Sequence, residues 1–387
     1  MPTSIGTGVS EGIGPRDAAI QAAIAARDQL GSEPVDVAVV FATGAHLADP
    51  EATLEGVHEA LAPATLIGCG AGGVLAGERE VEDGTAVVVW AAHLGDGLAT
   101  AFHSSVEPVD EGLAVSGLPD FSGADGIVLL PDPFSFPTDP LLREIAGLSP
   151  GVPVMGGLAS GRTLDGTGAL FCGEDVYENG AVGLRFDDVA VLPLVSQGAA
   201  PVGPEMTITA AEGSVIGELA GRPALEKLRD VVGELDLSER ALLASGPLLG
   251  IVVDGDKPDY VQGDFLVRGI VDADPDAGSI AVETLVRTGQ VVRLHARDAT
   301  SADRDLRSAL AVHNKALGGR PPAGSLVFSC NGRGRSMFGV PDHDAVTLAE
   351  GLVGAPAAGF FAAGEIGPVG PESYLHGFTA TLAIFSG

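Results

Sequence analysis

Positive charge is scarce in this chain. Its 387 residues hold 21 Lys and Arg against 52 Asp and Glu, a formal net charge of −31. The basic residues are scattered, so phosphate backbones and anionic membrane surfaces would be repelled, and neither nucleic acid nor membrane is expected as a partner. Cysteine is nearly absent. Cys69, Cys172 and Cys330 stand too far apart for a CxxC metal site, and their odd number argues against a disulfide framework. The eight histidines form no His-x-His or His-x-x-x-His pair, so no metal centre is expected. Aromatics make up only 5%, and no apolar run approaches the roughly 20 residues that cross a bilayer. The opening MPTSIGTGVSEG lacks the basic and apolar regions of a signal peptide. A cytoplasmic protein is expected.

Small residues and turn formers are abundant. Gly (56) and Pro (26) together make about a fifth of the chain, yet apolar strand-like runs recur throughout, which points to many turns rather than to disorder. The length suits two domains, at about 100–200 residues each. DVAVVFATGAHLADP at 36–50 reads as a strand running into a loop, then a helix start in which Asp49 caps and Pro50 fills the first turn. Leu54, Val57 and Leu61 continue an apolar helix face, and LIGCGAGGVL follows as a strand entering a glycine-rich bend.

The same grammar returns twice. GIVLLPDPFSFPTDP at 126–140 has the same length and closes on the same Asp-Pro, with VMGGLASG in the place of LIGCGAGG. A third copy begins at SLVFSCNGRG (325–334), continues through Ala345, Leu348, Ala349 and Leu352 at helical spacing, and reaches GFFAAGE. The three bends share Gly-x-x-Ala-x-Gly: Gly68/Ala71/Gly73, Gly156/Ala159/Gly161 and Gly359/Ala362/Gly364. Small residues at these points let backbones approach closely. Between the second and third copies lies a variant whose strands are joined by Asp/Gly turns. The expected architecture is α/β with mixed sheets: two similar domains, 1–200 and 215–387, built from repeated β-α-β-β units with helices covering the sheets. SQGAAPVGPEM (196–206) reads as the linker.

Few residues carry a chemical signal. Gly68-Cys69-Gly70-Ala71-Gly72-Gly73 satisfies G-x-G-x-x-G, but the helix that a dinucleotide needs is replaced by VLAGEREVEDG. Ser160, in Ala-Ser-Gly-Arg, lacks the G-x-S-x-G frame of a hydrolase. Asn331, Arg333 and Arg335 cluster donors at a strand end, where open α/β sheets place ligands, and Arg333 suits a carboxylate. Glu365, after Gly364, suits an amine or general acid–base work. No second carboxylate stands at a useful spacing, so binding is expected in preference to catalysis, with no cofactor. Cys69 reads as a buried hydrophobe or, with a base nearby, a nucleophile. His376 reads as a structural histidine, a ligand contact or a haem ligand.

Gly364-Glu365-Ile366-Gly367-Pro368 with LHGFTATLAIF resembles the FIST C-domain, and AEGSVIGELAGRPALEKL resembles the segment that opens it. LIGCGAGGVL and VPVMGGLASG resemble the FIST N-domain, Cys69 included. The resemblance covers nearly the whole chain. It implies an intracellular sensory module for signal transduction that binds a small ligand, amino acids among the candidates, at a site drawn from Asn331, Arg333, Gly364, Glu365, His376 and Cys69. Output would pass through a separate downstream signalling protein, since no residues remain for an output domain. A haem-based gas sensor, and an enzyme using Cys69 or Glu365, stand as alternatives.

Overall fold

A computed structural model describes residues 2–109, 112–244, 246–255, 257 and 259–387. Strand outweighs helix, 41% against 24%, in mixed sheets, so the sheets carry the cores. The chain folds into two compact units. One comprises the chain up to Val195 with Leu306–Leu375 and Thr379–Gly387; the other comprises Ser196–Asp305 with His376–Phe378. The grouping is therefore not the consecutive 1–200 and 215–387 expected from the sequence.

The first unit contains the three copies. Each begins with two parallel strands joined by a helix: Val37–Ala42, Pro50–Leu61 and Thr65–Gly70; Gly126–Pro131, Thr138–Leu148 and Val154–Gly157; Gly324–Cys330, His343–Gly351 and Ala357–Ala362. Asp49 caps its helix through Ala52 N, at 3.2 Å, and Pro50 opens it as expected. In the second copy the helix starts at Thr138, with Asp139-Pro140 inside its first turn. A closing strand then returns antiparallel to the first strand of its own copy: Val87–His93, Ala181–Asp187 and Thr379–Phe385.

What lies between the bend and the closing strand is exchanged. The hairpin Val74–Ala76/Arg79–Val81 of the first copy pairs with Ala357–Ala362 of the third. The hairpin Leu170–Cys172/Asp175–Tyr177 of the second pairs with Thr65–Gly70 of the first. The third copy's Glu365–Val369, with Glu372–His376 beside it, pairs with Val154–Gly157 of the second. The exchange is cyclic, so no copy has a complete sheet without another. This is why the C-terminal copy groups with the N-terminal half.

The glycine bends are where each chain leaves its own sheet. A Cβ on the first glycine of each bend would sit 2.0 Å from Val40 O at Gly68, 1.9 Å from Leu129 O at Gly156 and 1.8 Å from Val327 O at Gly359. The parallel neighbour runs too close for any side chain there. The bends also meet one another: Gly161 N donates to Gly70 O at 3.1 Å, Phe361 N to Gly73 O at 2.9 Å and Leu158 N to Gly364 O at 2.8 Å. Below them, one core draws residues from all three copies, including Phe41, Trp90, Met155, Phe186, Phe328, Phe360 and Phe385. Three of its aromatic pairs join different copies: Phe41 with Phe360 at 4.8 Å, Trp90 with Phe385 at 5.1 Å and Phe186 with Phe385 at 5.3 Å. Each such pair adds about 0.5–1.5 kcal/mol beyond area burial.

The second unit is built differently. Strands Ala199–Glu212, Val291–Arg297, Leu248–Val252, Phe265–Asp274, Ser279–Val282 and Val215–Leu219 follow one another in an antiparallel sheet, and the last pairs back to the first. The sheet therefore closes on itself. Ala224–Glu234 packs on it through Leu228 and Val231. The segment read as a linker, 196–206, lies largely within a strand. A bulge between Val202 and Glu205 accommodates Gly203 and Pro204, while Val202 and Met206 are buried in the core.

Candidate functional site

In the third copy, the strand Gly324–Cys330 ends in the loop Asn331–Gly334, and the helix His343–Gly351 begins nearby. Arg333 is buried, 1% exposed. Its Nε donates to Asp344 Oδ2 at 2.7 Å and its Nη2 to Oδ1 at 2.9 Å. Ser329 Oγ donates to the same Oδ2 at 2.9 Å, and His343 Nδ1 lies 3.1 Å from Oδ1. Burial alone would raise the Asp344 pKa, but the charge of Arg333 and these hydrogen bonds hold it well below the usual carboxylate range. The carboxylate that Arg333 faces through Nε and Nη2 is thus the protein's own. Among the described residues, Nη1 has no hydrogen-bond partner.

Glu365 opens the exchanged strand and is fully buried. Its Oε2 accepts from Thr379 N at 2.9 Å and from Thr379 Oγ1 at 2.8 Å, and Oε1 has no hydrogen-bond partner among the described residues. Burial pushes its pKa up to about 8, against hydrogen bonds from Thr379 and Cys330 and the nearby positive charge of Arg333. A buried polar atom left unpaired costs about 1–3 kcal/mol. Two such atoms, one cationic and one carboxylic, therefore share one neighbourhood.

The rim above them is formed by the bends. Gly72, Asn331 and Ala363 are exposed and Ser160 is half-buried. Ser160 Oγ accepts from Gly72 N at 2.9 Å and donates to Phe361 O. Asn331 N donates to Ala362 O at 2.9 Å, and a Cβ on Gly72 would lie 3.7 Å from Asn331 Oδ1. Asn331, Arg333, Gly364 and Glu365 thus belong to one segment cluster. Cys69 does not. It is fully buried in the apolar core, and desolvation raises its thiol far above the ordinary value, which corrects the reading of it as a nucleophile or ligand contact. His376 belongs to the second unit. It is 3% exposed and already engaged by a neighbour.

Sequence reasoning missed Glu80. Buried in the first copy's hairpin, it accepts from Ala345 N at 3.0 Å, while its own N donates to Asp342 Oδ1 at 2.7 Å. The two carboxylates thus cap across the exchanged strands, spanning 262 positions of chain in one case. Burial, with the charges of Asp344 and Glu82, raises Glu80 to about 7. Glu82 accepts from Arg335 N at 2.9 and 3.0 Å. The only local signal was an acidic run, Glu78 to Asp83, which reads as solvated surface.

The second copy places an arginine where the third has Glu365. Arg162, directly after Gly161, lies 2.6 Å from buried Asp132 and 4.1 Å over the Phe134 ring. The first copy has Val74 there. A surface depression of about 720 Å³ lies elsewhere in this unit, lined by residues including His58, Leu66, Ala99, Cys172 and Glu174; none of the residues picked from the sequence lines it.

Two family models match in succession, the FIST N domain over residues 36–222 and the FIST C domain over 224–368. The chain is similar along nearly its whole length to mycobacterial proteins. The uncharacterized protein Mb0898c of Mycobacterium bovis is 43% identical over 383 residues, 98% of each chain. The uncharacterized protein Rv0628c of Mycobacterium tuberculosis is 43% identical over 382 residues, 98% of this chain and 99% of its own. FIST domains are signalling-associated sensory modules. From the order of the two domains and their extent, this chain belongs to the FIST family.

Proposed function

We propose that this protein is a cytoplasmic sensor that binds a small zwitterion of the amino acid class and passes its occupancy to a separate signalling protein. One observation carries the reading: fully buried Glu365 keeps Oε1 unpaired beside Arg333, whose Nη1 is also unpaired. An ammonium group would pair with Glu365 and draw it into its ionised form; a carboxylate would pair with Nη1 of Arg333. Asn331 and the exposed backbone of the bends would meet the remaining polar groups. All three cysteines are unpaired, in keeping with a reducing compartment. Among the described residues, no helix is long and apolar enough to cross a membrane.

The test is a thermal-shift and calorimetric screen of the full chain against each common amino acid. A binder should raise the midpoint of wild-type protein and lose that effect in Glu365→Gln, whose fold is checked by circular dichroism. A screen in which no amino acid binds wild type, or in which the variant binds equally well, ends the reading.

A further inference from the structure

Cys330 ends the strand that supplies Leu326 and Phe328 to the central core, and its side chain shares their face. Its surroundings differ from those of the other two cysteines. Gly332 N donates to its sulfur at 3.4 Å. The Cys330 thiol donates to the Glu365 carboxylate, and the buried Arg333 guanidinium is close enough to interact with it electrostatically. Cys330 is 9% exposed, next to exposed Asn331. An N–H donor and a cation favour thiolate, and a carboxylate with an open oxygen accepts the proton. Cys172 has none of these aids; burial, then the charge of Asp175, lifts its thiol to about 11. Cys69 is sealed in the core.

We propose that Cys330 is a reactive thiol oxidised by small hydroperoxides, with Glu365 as its proton acceptor and Arg333 and the Gly332 N–H holding the thiolate. Once Glu365 is ionised, the thiol proton passes to its carboxylate. The thiolate then attacks the terminal peroxide oxygen, so the S–O bond forms as the O–O bond breaks. The departing alkoxide takes the proton back from Glu365. The sum is thiol plus hydroperoxide giving sulfenic acid plus alcohol: sulfur loses two electrons and the peroxide gains them. The reaction shares Glu365 with the proposed ligand site but requires no ligand, so failure of the amino acid screen leaves it standing.

The test uses the reduced full chain without added ligand. Iodoacetamide labelling is followed residue by residue by mass spectrometry, and hydrogen peroxide treatment is followed by dimedone trapping. Cys330 should alkylate at least about tenfold faster than Cys172, although Cys172 is the more exposed, and should carry the dimedone adduct. Glu365→Gln should slow Cys330 by about tenfold and leave the Cys172 rate unchanged. Faster labelling of Cys172, no adduct on Cys330, or an unchanged Cys330 rate in the variant would each overturn the proposal. Should the variant unfold, as appearance of label on Cys69 would reveal, the wild-type ratio of Cys330 to Cys172 decides alone.

Discussion

Replacing Glu365 with Gln should stabilise the protein in alkaline solution. A carboxyl that titrates at 4.5 when exposed and at about 8 in the fold holds its proton more tightly in the folded state. Between those values the folded chain binds more protons than the unfolded one, so stability falls as pH rises. The contribution is whole below 4.5 and is lost as pH climbs through about 8, a total on the order of 3–5 kcal/mol. An amide keeps an acceptor for Thr379 N and Oγ1 and never ionises. Wild type and Glu365→Gln should therefore be close in stability near pH 5, with the variant ahead by several kcal/mol at pH 9. Urea unfolding followed by fluorescence isolates the relevant unit, because Trp90 is the sole tryptophan and lies in the shared core of the three copies. Glu80 titrates near 7 with the same sign, so the difference between the two proteins, not the wild-type slope, is the measurement. Parallel pH profiles would show that Glu365 is not the strained carboxyl that its burial makes it.

Arg333→Met leaves Asp344 charged and buried with Ser329 and His343 as its remaining partners, and should cost about 3–5 kcal/mol by urea unfolding. Converting Asp344 to Asn in the same protein should recover part of that loss, since the uncompensated charge then goes. Gly359→Ala forces a methyl to within 1.8 Å of Val327 O and should cost at least about 3 kcal/mol or prevent folding, whereas Gly77→Ala, with open space at its Cβ though φ is +59°, should cost about 1 kcal/mol. His295 is fully buried in the second unit, with its pKa lowered by burial to about 4. The unfolded chain binds the extra proton below about 6.5, so this unit should lose roughly 3 kcal/mol as pH falls from there to about 4. Hydrogen exchange in the strand Val291–Arg297 would show that loss, and a rate independent of pH after intrinsic correction would contradict it.

The threefold repeat was legible because its signals are local. The Asp49-Pro50 cap, the spacing of Leu54, Val57 and Leu61, and the Gly-x-x-Ala-x-Gly bends each reflect a requirement met within a few residues. The exchange of hairpins was not legible. Nothing in VLAGEREV says that it pairs with Ala357–Ala362 rather than with its own copy, since a short strand's partner is set by long-range packing. For the same reason nothing local marked Glu80: its partners, Ala345 and Asp342, come from the far end of the chain. Pro201, Gly203 and Pro204 imitated a linker because a bulged strand and a loop demand the same residue types. Arg333 and Glu365 were recognisable as odd charges among glycines, but that Asp344 neutralises one and Thr379 anchors the other depended on the fold.

Repetition also explains why a polar site would arise at only one of three equivalent corners. Each copy sends the residue directly after the last glycine of its bend into the crossing: Val74, Arg162 and Glu365. Val74 joins the central core and asks for no partner. Arg162 finds a buried carboxylate in Asp132, supplied by its own copy. At the third corner the loop supplies an arginine, but Asp344 from the adjoining helix takes two of its nitrogens, leaving Glu365 without a full counter-charge. Three similar segments can close a ring of exchanged strands while the side chains at their crossings diverge, because the backbone contacts among the glycines hold the ring whatever follows them. The corner that stays electrostatically incomplete bears a standing cost in the empty state. A ligand that removes that cost binds with the released free energy, which is how a strained and otherwise rigid crossing would sense a small molecule.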